Sequence, residues 1–90
     1  MTKAEKFNLY ADTLYGMCRK VQDTVPEACV SFECKVFSSE KLGAYRSICV
    51  GITEAGGGRK YYDVCEALRD MEKNFTLVKI MLINLLLDAP

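Results

Sequence analysis

The spacing of apolar residues changes along the chain and divides it into a helical first segment, a strand-forming middle and a helical last segment. In the first segment, apolar positions recur every three or four residues, as in a one-sided amphipathic helix. Thr2 and Glu5 have the spacing of a capping box, so we predict that a helix begins there, and Pro26 prevents its continuation. The predicted buried stripe is Phe7, Tyr10, Ala11, Leu14, Met17, Cys18 and Val21.

From Ala28 onward, apolar residues alternate with small or polar ones, which is typical of strands that bury one face. The stretch SSEKLGA separates two such runs and supplies turn-forming residues, so the pattern predicts an antiparallel hairpin. The predicted core positions of the first strand are Ala28, Val30, Phe32, Cys34 and Val36, and those of the second are Ile48, Val50 and Ile52.

The opposite face of this hairpin is built mainly from small side chains, and its only charges come from Glu33 and Lys35. One interpretation is a solvated face. The other is that small side chains allow a second sheet, a subunit or a peptide backbone to approach closely. On the second interpretation, the candidate partner face consists of Ser31, Glu33, Ser47, Cys49 and Thr53.

The last segment has a second capping-box spacing, Asp63 with Glu66, which predicts a helix from near Val64 to about Leu87. Its apolar residues alternate in steps of four and three, as in a heptad seam. Asn74 and its neighbour Thr76 are only weak helix breakers, so we predict one continuous helix. The seam consists of Val64, Leu68, Met71, Phe75, Val78, Leu82 and Leu85.

After Thr76, apolar residues occupy the remaining faces of this helix as well, and such a helix must be buried on several sides. The apolar run is about 11 residues, far short of the roughly 20 that span a bilayer. It also lacks the basic polar face of an interfacial anchor. We therefore expect self-association, most simply as a twofold homodimer; the alternative is a monomer whose first helix and hairpin wrap the tail. The expected interface is Leu77, Ile80, Met81, Ile83, Leu86 and Leu87.

The composition is that of one ordered globular domain, with 90 residues of which 50% are hydrophobic. Twelve basic and 12 acidic residues cancel, so no overall positive field would attract nucleic acid or an anionic membrane. The first residues lack the apolar core of a signal peptide, which favours a cytoplasmic location.

The residues that usually perform catalysis are scarce. The chain has no histidine, and its five cysteines form no C-x-x-C pair, which argues against a zinc site or a disulfide framework. Cys65 lies beside the predicted start of the last helix, where a thiol can be activated, but it has no evident base. Glu66, Asp70 and Glu72 have the spacing of a solvated helix face. We predict no enzyme activity, cofactor or metal.

The stretch AGGGRKYYD is the strongest candidate for a ligand site. Consecutive glycines can present backbone N–H groups, and Arg59 and Lys60 add positive charge, as an anion requires. The stretch matches neither of the common phosphate-binding glycine motifs, and a flexible loop is the alternative. Tyr61 and Tyr62 would form a short third strand, cover the core or contact a ligand. The candidate anion site is Gly56, Gly57, Gly58, Arg59, Lys60 and Tyr62.

The order of predicted elements loosely resembles that of the double-stranded RNA-binding domain. A helix and a hairpin come first, and a glycine-rich turn with adjacent basic residues then leads into a second helix. In that family, basic residues at the start of the second helix grip phosphate, and Arg59 and Lys60 would take that place here. The sequence departs from the family at Asp63, Glu66 and Asp70, which are acidic where the family is basic.

Together these patterns predict a single α+β domain in the order α-β-β-α, with an antiparallel hairpin, a long C-terminal helix and room for a short third strand. We expect a non-catalytic homodimer that binds a larger protein as a stoichiometric adaptor or inhibitor, for example a phage-type inhibitor of a bacterial system. The alternative is nucleic-acid, nucleotide or phosphate binding through the loop from Gly56 to Lys60.

Overall fold

The fold is a three-stranded antiparallel sheet with two helices packed on one of its faces, in a computed structural model that describes residues 1–89. The elements are α1 (Lys3–Thr24), β1 (Ser31–Ser39), β2 (Gly43–Thr53), β3 (Arg59–Cys65) and α2 (Met71–Leu87), with a short 3-10 turn over Pro26–Ala28. The predicted α+β class is confirmed, and the third strand is present. The sheet order is β1-β2-β3, so each strand pairs with its neighbour in sequence.

Helix α1 begins and packs as its sequence predicts. Thr2 Oγ1 accepts a hydrogen bond from the Glu5 amide at 3.1 Å, and Glu5 Oε1 accepts one from the Thr2 amide at 3.0 Å. These two bonds satisfy N–H groups that a helix start otherwise leaves free. The buried residues of α1 are Phe7, Tyr10, Leu14, Cys18 and Val21.

The core lies between the two helices and the inner face of β2 and β3. Ile48, Val50 and Ile52 of β2 are buried, as predicted, and Val64 of β3 joins them. The helices run side by side in the same direction, since Lys3 lies near Met71 at their starts and Val25 lies near Leu85 at their ends. The rings of Tyr10 and Phe75 stack with centroids 4.0 Å apart.

The first strand is shorter and less buried than the alternation suggests. Ala28 is buried in the 3-10 turn, and Cys29 follows in the left-handed region with φ 44°, so the strand begins only at Ser31. Farther along, Cys34 and Val36 were expected in the core but are exposed, Val36 by 72%. The reason is that α1 contacts only the beginning of β1, and the rest of the strand extends past the helices.

The predicted helix start near Val64 is wrong, because the segment from Arg59 to Cys65 forms β3. Asp63 pairs with Cys49 across the sheet instead of capping a helix. The Glu66 carboxylate binds Arg46, and the Glu66 amide donates to the Arg46 carbonyl at 2.9 Å, which continues the sheet pairing beyond β3. These bonds compete with a helical conformation for the same residues, and the sheet is the arrangement that also buries Val64.

Helix α2 is continuous from Met71 to Leu87, as predicted, but six or seven residues shorter at its start. The helix passes through Asn74 and Thr76 without a break, and Thr76 Oγ1 donates to the Glu72 carbonyl at 2.9 Å. Leu68 falls outside the helix and is exposed. The buried side of α2 consists of Met71, Phe75, Val78 and Leu82.

Candidate functional site

The face of the sheet that carries no helix, here called the outer face, collects the predicted partner residues. The register places Ser31 opposite Gly51 and Glu33 opposite Cys49, so side chains from neighbouring strands stand side by side. The structure brings together all five predicted residues, Ser31, Glu33, Ser47, Cys49 and Thr53. Strand β3 adds four residues that the sequence interpretation missed, Arg59, Tyr61, Asp63 and Cys65.

Arg59 lies across one end of the outer face and binds several groups of the protein itself. Its guanidinium donates to the Ser31 hydroxyl and the Cys29 carbonyl at 2.8 Å, and to Thr53 Oγ1 at 3.0 Å. It also donates to the Tyr61 hydroxyl at 3.2 Å. These bonds connect the first residue of β3 to the first residues of β1, across the central strand β2.

Gly51 explains how the arginine can lie flat there. A Cβ added at Gly51 would come within 2.5 Å of Ser31 Oγ and 2.8 Å of Arg59 Nη2. A larger side chain at Gly51 would therefore require the Ser31 or Arg59 side chain to move. The small residue in the central strand is needed for this contact, which places the guanidinium in a structural role.

A shallow depression of about 190 Å³ opens in the middle of the outer face, between Glu33, Lys35, Cys49 and Asp63. Lys35 and Glu33 form an exposed ion pair at 3.0 Å. Burial and the nearby Asp63 carboxylate raise the pKa of the Cys49 thiol. A raised thiol pKa opposes formation of the nucleophilic thiolate at Cys49.

The residues of the predicted anion site are divided between the β2–β3 turn and the two faces of strand β3. Gly57 has φ 86° and its amide donates to the Glu54 carbonyl, while the Glu54 amide donates to the Gly58 carbonyl, so the glycines close a tight turn between β2 and β3. Arg59 points to the outer face. Lys60 and Tyr62 lie on the other side of the same strand, where Lys60 pairs with Glu54 at 3.3 Å.

The resemblance to the double-stranded RNA-binding domain holds for the order of elements and fails at its functional residues. Arg59 and Lys60 lie in β3, whereas α2 begins at Met71. The phosphate-gripping position at the start of the second helix is therefore not occupied by the two residues that the resemblance assigned to it.

Helix α2 turns a row of large apolar side chains toward solvent. Of the expected self-association residues, Leu77, Ile80, Ile83 and Leu87 are exposed, whereas Met81 and Leu86 are half-buried against the core. The most outward positions are Leu77, Ile80, Asn84 and Leu87, which we call the α2 seam. At 100° per residue, these positions lie on the side of the helix opposite Leu82.

A cleft of about 590 Å³ runs beside the α2 seam, between α2 and the turn that joins β2 to β3. Ile52 and Tyr62 line its sheet side, and Met81 and Leu85 line its helix side. The sequence interpretation missed this cleft, because it depends on how β3 and α2 dock against one another. Two members of the predicted anion site, Gly56 and Tyr62, line this cleft.

The outer end of the β1–β2 hairpin projects beyond the helices and forms a second apolar surface. Phe37 and Tyr45 pair across the two strands with ring centroids 5.5 Å apart. Val36 and Leu42 are more than half exposed nearby. The molecule is correspondingly elongated, at 45 × 27 × 18 Å.

Within residues 1–89, no group of three or more cysteine, aspartate or glutamate side chains is arranged to hold a metal ion. No helix in this part of the chain is both long and apolar enough to cross a membrane.

Comparison with known proteins adds no information about this site. No protein-family model matches the sequence. No curated protein and no solved structure matches it either.

Proposed function

We propose that the protein is a non-catalytic binding protein that associates with a second copy of itself through α2 and binds a larger protein through its outer face. The observation that carries this proposal is the α2 seam, where Leu77 is 55% exposed, Ile80 48% and Leu87 75%. Removing apolar surface from water contributes about 25 cal/mol per Å² of favourable transfer free energy, from which the costs of association are subtracted. Contiguous large apolar side chains on a helix therefore favour a protein interface over a solvated face.

The outer face supports the second part of the proposal. Its central strand carries the small, half-buried side chains of Ser47 and Cys49 between two taller edges, while Arg59 and Ser31 cover the buried Gly51 at one end. Glu33 and Lys35 stand on one edge, and the residues of β3 stand on the other. This shape and mixed charge suit contact with another protein, and a stoichiometric adaptor or inhibitor is the role that needs only such contacts.

Self-association is tested by making the α2 seam charged. We expect the intact chain to have the mass of a dimer by light scattering, and the variant Leu77→Glu/Ile80→Glu to have the mass of a folded monomer. Both positions are exposed, so the charges should disrupt the interface without unfolding the chain. The expected weakening of association is about a hundredfold or more, because four carboxylates of the pair would have to leave water to enter an apolar interface.

Leu9→Glu is the matched control, because Leu9 lies on α1 and is 50% exposed. This variant should remain a dimer. A monomeric mass for the intact chain across the accessible concentration range would refute the proposed self-association.

Partner binding is tested by comparing one substitution on the outer face with one in the β2–β3 turn. If the tagged chain captures a partner in a fixed stoichiometric ratio, Ser47→Arg should reduce that capture at least tenfold by placing a bulky charge on the outer face. Lys60→Glu should leave capture unchanged, because Lys60 lies on the other side of β3. Loss of capture with Lys60→Glu alone would contradict the assignment of the outer face.

A further inference from the structure

The α2 seam contains one polar residue among its apolar ones, and this residue indicates what covers it. Leu77, Ile80, Asn84 and Leu87 are separated by three, four and three residues, the spacing by which one helix packs along another. Among the described hydrogen bonds, none involves the Asn84 side chain, which is exposed in the single chain. A helix laid on this seam would bury its amide.

A carboxamide carries both a donor and an acceptor, so it is its own complement. In a parallel pair of helices related by a twofold axis, Asn84 would meet the partner's Asn84, and the two amides could bond to each other. In an antiparallel pair centred on the seam, Asn84 would face the partner's Ile80. Each buried amide would then lack a partner, which costs about 1–3 kcal/mol per group.

We propose that two copies of the chain pair through parallel α2 helices, with Asn84 meeting the partner's Asn84 within the interface. This inference rests on the self-association proposed above and specifies its orientation and register. A single asparagine in an apolar seam is the best-attested device for fixing the alignment of paired helices. On the N-terminal side, the next seam position is Lys73, so the apolar contact is confined to the part of α2 from Leu77 onward.

Opposite charges placed at the same position test this arrangement. Asn84→Asp and Asn84→Lys should each be largely monomeric, because each would bring like charges together. An equal mixture of the two variants should form a mixed dimer, with association about tenfold or more stronger than that of either variant alone. Native mass spectrometry distinguishes the mixed dimer by its mass, and circular dichroism checks that each variant is folded.

The matched controls are Leu9→Asp and Leu9→Lys on α1. Each of these variants, on its own, should dimerise as strongly as the intact chain. A second mixture, Asn84→Asp with Ile80→Lys, distinguishes the antiparallel arrangement. A mixed dimer that forms in this second mixture, but not in the mixture of Asn84→Asp with Asn84→Lys, would overturn the parallel pairing.

Other outcomes separate this inference from the proposal on which it rests. If the intact chain is monomeric, the self-association itself is refuted. If the intact chain is dimeric and both Asn84 variants remain dimeric on their own, the interface lies elsewhere and only the seam assignment fails.

Discussion

Leu82→Ala is expected to lower the free energy of unfolding by about 3–4 kcal/mol. Leu82 is fully buried between the sheet and α1, in the same core as Ile48 and Val64. Removal of its side chain would leave a cavity that the surrounding strands can close only in part. The free energy of unfolding would therefore fall both because less apolar surface is buried and because the cavity remains. Urea unfolding, followed by circular dichroism, measures the change.

Leu9→Ala provides the comparison, since it makes the same chemical change on an exposed surface of α1. It should cost less than about 0.5 kcal/mol. If Leu82→Ala cost as little as Leu9→Ala, α2 would not be docked on the sheet as described. The burial of Leu82 also means that a charge there would unfold the chain, so charged variants that probe association must be placed in the α2 seam.

Arg46→Ala is expected to lower the free energy of unfolding by about 2–3 kcal/mol, because its guanidinium connects three parts of the fold. Arg46 Nη2 donates to Glu66 Oε2 at 2.6 Å, and another nitrogen donates to the Asn8 side chain. The group also lies over the Phe7 ring, 4.4 Å from its centroid. The substitution would leave the partly buried Glu66 carboxylate without its main donor.

The pH dependence of this loss follows from the Glu66 carboxyl. The hydrogen bond from Arg46 lowers the pKa of Glu66 below its ordinary value of 4.5. A lowered carboxyl pKa contributes stability that is fully present above the ordinary value and is lost as pH falls through the lowered one. The difference in stability between the intact chain and Arg46→Ala should therefore be constant near neutral pH and narrow in acid.

Urea unfolding at neutral and acidic pH checks this expectation, with Lys35→Ala as the control for an exposed ion pair. Lys35→Ala should cause no measurable change at either pH, since exposed pairs contribute little. A loss from Arg46→Ala that is equal at both pH values would assign its effect to packing on Phe7 and not to the ion pair with Glu66.

The sequence was sufficient to predict α1 and the β1–β2 hairpin because their signals are local. A capping box at Thr2 and a one-sided apolar stripe define α1 without reference to the rest of the chain. Strand β3 was harder to predict, since Asp63 and Glu66 fit a helix cap as well as a strand. Pairing with β2 decides between the two, and that information comes from residues distant in sequence.

The candidate site shows the same division between local and distant information. Alternation alone predicted that Ser47 and Cys49 share a face. It could not predict that Arg59 would reach across that face, because the approach depends on Gly51 in another strand. In α2, Ile80 and Leu82 are equally apolar, and only the docking of the helix determines which one is buried and which one belongs to the α2 seam.

The strand order β1-β2-β3 has a consequence for how the chain reaches its folded state. Each strand pairs with its neighbour in sequence, so the sheet can assemble by closing two short turns, and short loops cost little entropy. The packing of α2 on α1 is different, because the stack of Tyr10 on Phe75 joins the two ends of the sequence. The packing of α2 on α1 therefore closes a longer loop than any strand pairing does, and the helix that carries the exposed seam is also the one that brings the two ends of the core together.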